Sequence, residues 1–234
     1  MISGEDQRLR KADCFMEQII TDAITYIREV FRDDFSGHDA AHSVRVYKTA
    51  LAIAAEEGAD ARLVALGALL HDVDDRKLSP ETAAGKDRAV GFLQREGIPA
   101  AQVSAICAII DQVSYKGTDS VVPSTLEGKC VQDADRLDAL GAIGIARTFA
   151  YGGSHGRPLY DPEEKPRLHM DGAEYARRQS SSVNHFYEKL FLLKDMMNTE
   201  TGRRVAAQRT ALMHGFLDAF LAEWDGADIR QKGG

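Results

Sequence analysis

The chain has 234 residues, 44% of them hydrophobic, enough for one large core or for a core with an added lobe. A formal net charge of −7 and a pI of about 5.5 exclude a generic binder of nucleic acid or anionic membrane, which needs a basic surface. Any phosphate site must therefore be locally basic inside an acidic protein.

The charged segment Met1 to Lys11 carries no apolar secretion signal, and no apolar run approaches the ~20 residues of a membrane span. The cysteines Cys14, Cys107 and Cys130 form an odd set without a C-x-x-C pair, which suits a reducing compartment. A cytoplasmic protein is expected. Ile19, Ile20, Ala23, Ile24, Ile27 and Val30 recur at helical spacing and predict a first amphipathic helix. A second begins near Ser36 or Asp39 and ends at Gly58, with His38, His42, Arg45 and Thr49 on one face. Asp60 is placed to cap a third, Ala61 to Leu70, whose apolar residues wrap around it and mark it as buried. His71 and Asp72 fall at its C-terminal end.

Lys77 to Gly85 reads as a loop. A short helix with Ala89, Val90 and Leu93 follows and stops at Gly97, and Pro99 opens the next, with Val103, Ile106, Ile109, Ile110 and Val113 as its stripe. Tyr115 to Val122 is loop. Ser124-x-x-Glu127 has capping-box form and predicts a long helix through Ala150, with Leu126, Cys130, Ala134 and Leu137 inward. Tyr151 to Met170 lacks periodicity and reads as a long surface loop, a candidate lid. Helices over Ser182 to Met197 and Thr199 to Trp224 complete the chain before a frayed tail, Asp225 to Gly234. No stretch alternates with strand period. The expected fold is all-α: one domain over 1–234, with a motif core at about 35–150 and a helical C-terminal extension at about 171–225.

His42, His71, Asp72 and a carboxylate from the patch Gln132-Asp133-Ala134-Asp135-Arg136-Leu137-Asp138 could close around one divalent cation. An Asp after so apolar a helix is costly to bury unless it is paired or metal-bound. From spacing alone the rival reading stays open, in which Asp72 meets solvent at a helix end. For the phosphate, Arg45 stands one turn from His42 and offers a planar fork, while Lys77 and Lys116 leave nearby loops. His38 could hydrogen-bond a ligand from behind, and Asp138 could orient a ligand or a sugar hydroxyl.

The blocks Gly37-His38-Asp39-x-x-His42-x-x-Arg45-Val46, Leu69-Leu70-His71-Asp72-Val73-x-Asp75-x-Lys77 and Ser114-Tyr115-Lys116-Gly117 occur in that order. They are followed by Gln132 to Asp138, Gly141 to Arg147 and Phe186-Tyr187-Glu188-Lys189-Leu190. Together, over about Phe35 to Trp224, they resemble the HD-domain superfamily of metal-dependent phosphohydrolases, in particular small single-domain bacterial members. The resemblance implies an all-helical fold and metal ligands His42, His71, Asp72 and Asp135. It also implies a water-directing acid at Asp75, where related families usually carry the longer Glu; the alternative is that Asp74 and Asp75 are solvated loop acids.

Two-metal members use extra histidines between the His-Asp pair and the last Asp. Here none occurs between His71 and His155, which argues for a single metal. Mixed N and O ligands suit Mn²⁺ first, with Co²⁺, Ni²⁺, Fe²⁺, Zn²⁺ or Mg²⁺ as alternatives. The expected activity is hydrolysis of a phosphoester or phosphoanhydride in a small molecule, a nucleotide by preference, without nucleic-acid or membrane partners. The alternative is a non-catalytic HD module that binds a nucleotide or a protein partner. A di-iron oxygenase lacks its histidines.

Overall fold

A computed structural model describes residues 4–32, 39–75 and 81–230 of the chain. The fold is all-α, as expected, and no strand occurs among the described residues. The chain forms two compact units, one drawn from Met1–Ser114 and Val121–Asp135, the other from Tyr115–Ser120 and Arg136–Gly234.

The first unit contains α1 (Gly4–Val30), α2 (Ala40–Glu57), α3 (Ala61–Leu70), α4 (Asp87–Arg95), α5 (Ala100–Val113) and the start of α6 (Leu126–Asp138). Its centre is α3, in which every residue from Val64 to Leu70 is buried. A ten-residue helix this apolar has no polar face to give to water, so α1, α2 and α5 all pack on it. Ile19, Ile27, Leu66, Leu69, Leu70, Phe92 and Ile106 share that core. Each such side chain contributes about 1.5–3 kcal/mol by leaving water. The termini follow the sequence signals. The Asp39 carboxylate accepts the His42 N–H at 2.7 Å, and Asp60 accepts those of Arg62 and Leu63 at 2.8 and 3.2 Å. Gly58 closes α2 by donating its N–H to the Ala54 carbonyl.

Three expectations fail around α6. Ser124 and Glu127 form no capping box: the Ser124 N–H, which Glu127 would have to accept, is taken by the Gln112 side chain (3.0 Å). The Thr125 hydroxyl caps instead, accepting from Gly128 at 3.1 Å, while Glu127 reaches outside the helix to the Asp60 N–H at 3.2 Å. Leu126, at the first turn, is exposed, whereas Cys130, Ala134 and Leu137 are buried as predicted. Nor does the helix run to Ala150. It ends at Asp138, and α7 (Gly141–Ser154) starts afresh. The break has a tertiary cause: Leu140 is extended, Gly141 takes φ +73°, and the Arg209 guanidinium binds the Leu137 carbonyl at 2.5 Å. A Cβ on Gly141 would lie 3.0 Å from the Arg209 side chain, so the glycine both makes the left-handed turn and clears that arginine.

The second unit contains α7, α8 (Gly172–Arg177), α9 (Ser182–His185), α10 (Phe191–Leu193), α11 (Glu200–Trp224) and α12 (Ala227–Arg230). Between α9 and α10 the chain widens into a π-helical turn, Phe186–Leu190, and a 3₁₀ turn, Lys194–Met196, follows. α11 packs on α7 through aromatic rings, with Phe149 5.8 Å from Phe216 and 5.9 Å from Phe220. Asp138 is buried and paired with Arg147 at 2.5 Å, so it braces the start of α7. Glu188, buried in the π turn, accepts from Arg178, from the Ser180 hydroxyl (2.6 Å) and from the Arg167 N–H (3.0 Å). The loop expected over Tyr151–Met170 starts later, because Tyr151–Ser154 belong to α7; residues 155–171 are irregular, and α8 follows with its own capping box from Asp171 and Glu174.

Candidate metal centre

Three helices of the first unit bring the predicted residues together. His42 lies in the first turn of α2, on the face that also buries Val46, Ala50 and Ile53. His71 ends α3, and the tight turn after it, with Val73 N–H on the Leu70 carbonyl and Asp75 N–H on that of Asp72, folds Asp72 back beside it. Asp135 comes from α6. The ligand atoms of His42, His71 and Asp72 lie within 4.8 Å of one another, and all three residues are buried. His42 Nε2 lies 3.5 Å from Asp72 Oδ2 and 3.3 Å from Asp135 Oδ1, while His71 Nε2 lies 3.3 and 3.7 Å from the same two oxygens. Asp135 keeps 23% of its side chain exposed, so it stands on the solvent side of the cluster.

The donor set suits a divalent cation. Metal–ligand bonds of ~2.1 Å place tetrahedral neighbours about 3.4 Å apart, which matches the spacing here. The Nδ1 of His71 lies 2.8 Å from the Ala68 carbonyl. A carbonyl can only accept, so this bond puts the ring proton on Nδ1 and leaves the Nε2 lone pair facing the carboxylates. That Nε2 atom is buried and makes no hydrogen bond. A buried polar atom left in this state costs about 1–3 kcal/mol, which a bound cation would offset.

The electrostatics match. Burial pulls the His71 pKa down, but Asp72 and Asp135 outweigh it and hold the imidazole well above its usual range. Burial likewise pushes Asp135 up, and the adjacent imidazoles of His42 and His71 outweigh that, holding the carboxyl far below the ordinary range. The pocket therefore concentrates negative charge and accepts positive charge, as a proton or as a metal.

The other predicted residues are placed less decisively. Asp75 and Arg45 are half-buried, Asp75 in the turn after Asp72 and Arg45 one turn along α2 from His42. Lys116 is exposed in the 115–120 loop of the second unit. Lys77 and His38 lie outside the described residues. Asp74 corrects the solvated-acid reading: it is buried, and its carboxylate accepts the N–H groups of Arg88 (3.2 Å) and Ala89 (2.9 Å). α4 needs that help, because its N-cap position is Lys86, with φ +53° and no side-chain bond to the helix. The sequence shows only that a helix starting at Asp87 has no Ser, Thr, Asp or Asn directly ahead of it, not which distant residue supplies the cap.

Residues 39–140 match the HD domain family. YpgQ of Bacillus subtilis is 35% identical over 201 residues, spanning 85% of this chain and 88% of that protein. A Lactobacillus plantarum structure superposes with a TM-score of 0.78 at 40% identity, covering 97% of this chain and all of that one. An HD-superfamily hydrolase of Bacillus thuringiensis superposes at 0.72, also 40% identical, covering 90% of this chain and 98% of its own. YpgQ has been crystallised in complex with ADP, and that structure superposes at 0.69 with 32% identity. On likeness of this extent, the chain belongs to the HD-domain superfamily of hydrolases.

Proposed function

We propose that the protein is a metal-dependent phosphohydrolase that cleaves a phosphoester or phosphoanhydride of a nucleotide. The observation that carries this reading is the buried cluster of His42, His71 and Asp72, joined by Asp135, with an imidazole nitrogen at its centre that makes no hydrogen bond. These four side chains would hold one divalent cation, Mn²⁺ by preference, and the bound cation would polarise the phosphate and acidify water. Asp75, in the turn after Asp72, is assigned to orient the attacking water and take its proton. Arg45 is assigned to the phosphate oxygens, with Lys77 as a further cation. The nucleotide preference rests on the ADP complex of YpgQ. The free cysteines Cys14, Cys107 and Cys130 fit work in a reducing cytoplasm.

The test is turnover of a nucleotide panel with Mn²⁺, with released phosphate or pyrophosphate identified by ion chromatography. Metal-dependent release that disappears in Asp72→Ala is expected. Absence of release across metals and nucleotides, or full release by Asp72→Ala, would overturn the reading.

A further inference from the structure

The second unit holds a cationic group that the reading above does not use. The π-helical turn Phe186–Leu190 presents Lys189, whose ammonium sits 4.9 Å from the centre of the Tyr115 ring and 5.5 Å from that of Tyr175. The two rings meet edge to face at 5.3 Å and form a corner around it. Among the described residues no carboxylate lies within ion-pair distance of Lys189. The π turn accounts for part of this: the next-door Glu188 points inward to Arg178 and Ser180, so it is not available to Lys189.

A second cation, Arg157, bears on the same region. Burial draws His185 down to about 3, and the charges of Lys189 and Arg157 act in the same direction. Burial pushes the Tyr115 phenol up to about 12, with Tyr175 adding to it and Arg136 opposing. It therefore remains an O–H donor at neutral pH. Lys116 follows Tyr115 directly and is exposed. The loop bearing both is pinned, with Thr118 N–H on the Met170 carbonyl (3.2 Å) and Gly172 N–H on the Asp119 carboxylate (3.0 Å). In a chain with net charge −7, a half-buried ammonium framed by aromatic faces and phenol donors is the locally basic spot that an anion requires.

We propose that Lys189, framed by Tyr115 and Tyr175, is a binding site for a phosphate group, free or carried by a nucleotide. The ammonium supplies a charge-assisted bond to a phosphate oxygen, and the rings fix its direction while excluding competing carboxylates. The site shares no residue with the metal cluster and so stands or falls separately from it.

The test is titration calorimetry of the full chain, stripped of metal, with inorganic pyrophosphate and with ADP. Lys189→Met should fill the same aromatic corner, and it should weaken pyrophosphate binding by about tenfold or more, the loss of one charge-assisted contact. Lys189→Arg should stay within about threefold of the parent, since it keeps the charge. Lys189→Gln is the second probe should the methionine variant unfold. Weakening of both ligands assigns the site to phosphate in either form, and weakening of ADP alone assigns it to nucleotide phosphate. Unchanged affinities in a folded Lys189→Met, or no binding of either ligand by the parent, would overturn the proposal. Metal-free Asp72→Ala should bind pyrophosphate like the parent, so lost turnover in that variant reports only on the metal reading.

Discussion

The Asp74 carboxylate lies 2.9 Å from the backbone N–H of Ala89, fifteen residues further on, and caps a helix that has no cap of its own. Replacing Asp74 with Ala should destabilise the protein by about 1–2 kcal/mol, the usual cost of a lost cap, read as a lower urea midpoint at unchanged slope. Asp74→Asn keeps one acceptor oxygen and should recover about half of that loss. Equal stability of the alanine variant and the parent would show that α4 is held by packing alone.

The cluster predicts a stoichiometry. The parent, dialysed against Mn²⁺, should retain about one ion per chain, and His42→Ala, His71→Ala and Asp72→Ala should each retain ~0.1 or less by elemental analysis. Metal at about a hundred times its dissociation constant should stabilise the parent by about 2.7 kcal/mol, and a chelator should reverse this. Two ions per chain would contradict the single-metal reading.

His185 supplies a pH dependence. Its folded pKa of about 3 lies below the ~6.5 of an unfolded histidine, so between these values the unfolded chain binds the extra proton. The stability it contributes is complete above pH ~6.5 and is lost as the pH falls toward 3. Since the ring is only partly shielded from solvent, the loss at pH 5 should be about 1–2 kcal/mol. Thermal unfolding at pH 7 and pH 5 should show this drop in the parent and a smaller one in His185→Phe, which keeps the stacking on Tyr175. An identical drop in both would assign acid sensitivity elsewhere.

The sequence carries these features unevenly. α2 and α3 were legible because their signals are local: Asp39, Gly58 and Asp60 stand beside the helices they cap, and the apolar run from Val64 to Leu70 could only be buried. Leu126 misleads for the same reason, since local periodicity does not tell whether a neighbour covers a helix's first turn. The break at Gly141 was hidden because its cause, Arg209, lies 68 residues away in α11. The Asp74 cap and the Lys189 corner were hidden likewise, as each joins elements that spacing cannot connect. His42, His71, Asp72 and Asp135 stand out in the sequence because candidate metal-ligand side chains are few and their order resembles a known pattern, whereas their convergence is visible only in the fold.

Gly117 tests the loop that carries Tyr115. It takes φ +60°, and a Cβ there would collide with the Met170 carbonyl oxygen. Gly117→Ala should destabilise the protein by about 2–3 kcal/mol, through strain and the displaced Thr118–Met170 bond. If the inference for Lys189 holds, this variant should also bind pyrophosphate more weakly than Lys189→Arg does. A tolerated alanine would show that the 115–120 loop is free to re-form.

The wide turn from Phe186 to Leu190 leaves a molecular ruler in the second unit. A π turn holds one more residue than its α counterpart, so deleting a single residue there could relax the backbone to ordinary winding without breaking the rod. Everything on the near side of the deletion would then rotate by roughly 100° relative to the far side, the angle one helical residue subtends. Glu188 and Lys189 would no longer divide their duties between interior and aromatic corner. One inserted amino acid is enough to aim two opposite charges in different directions.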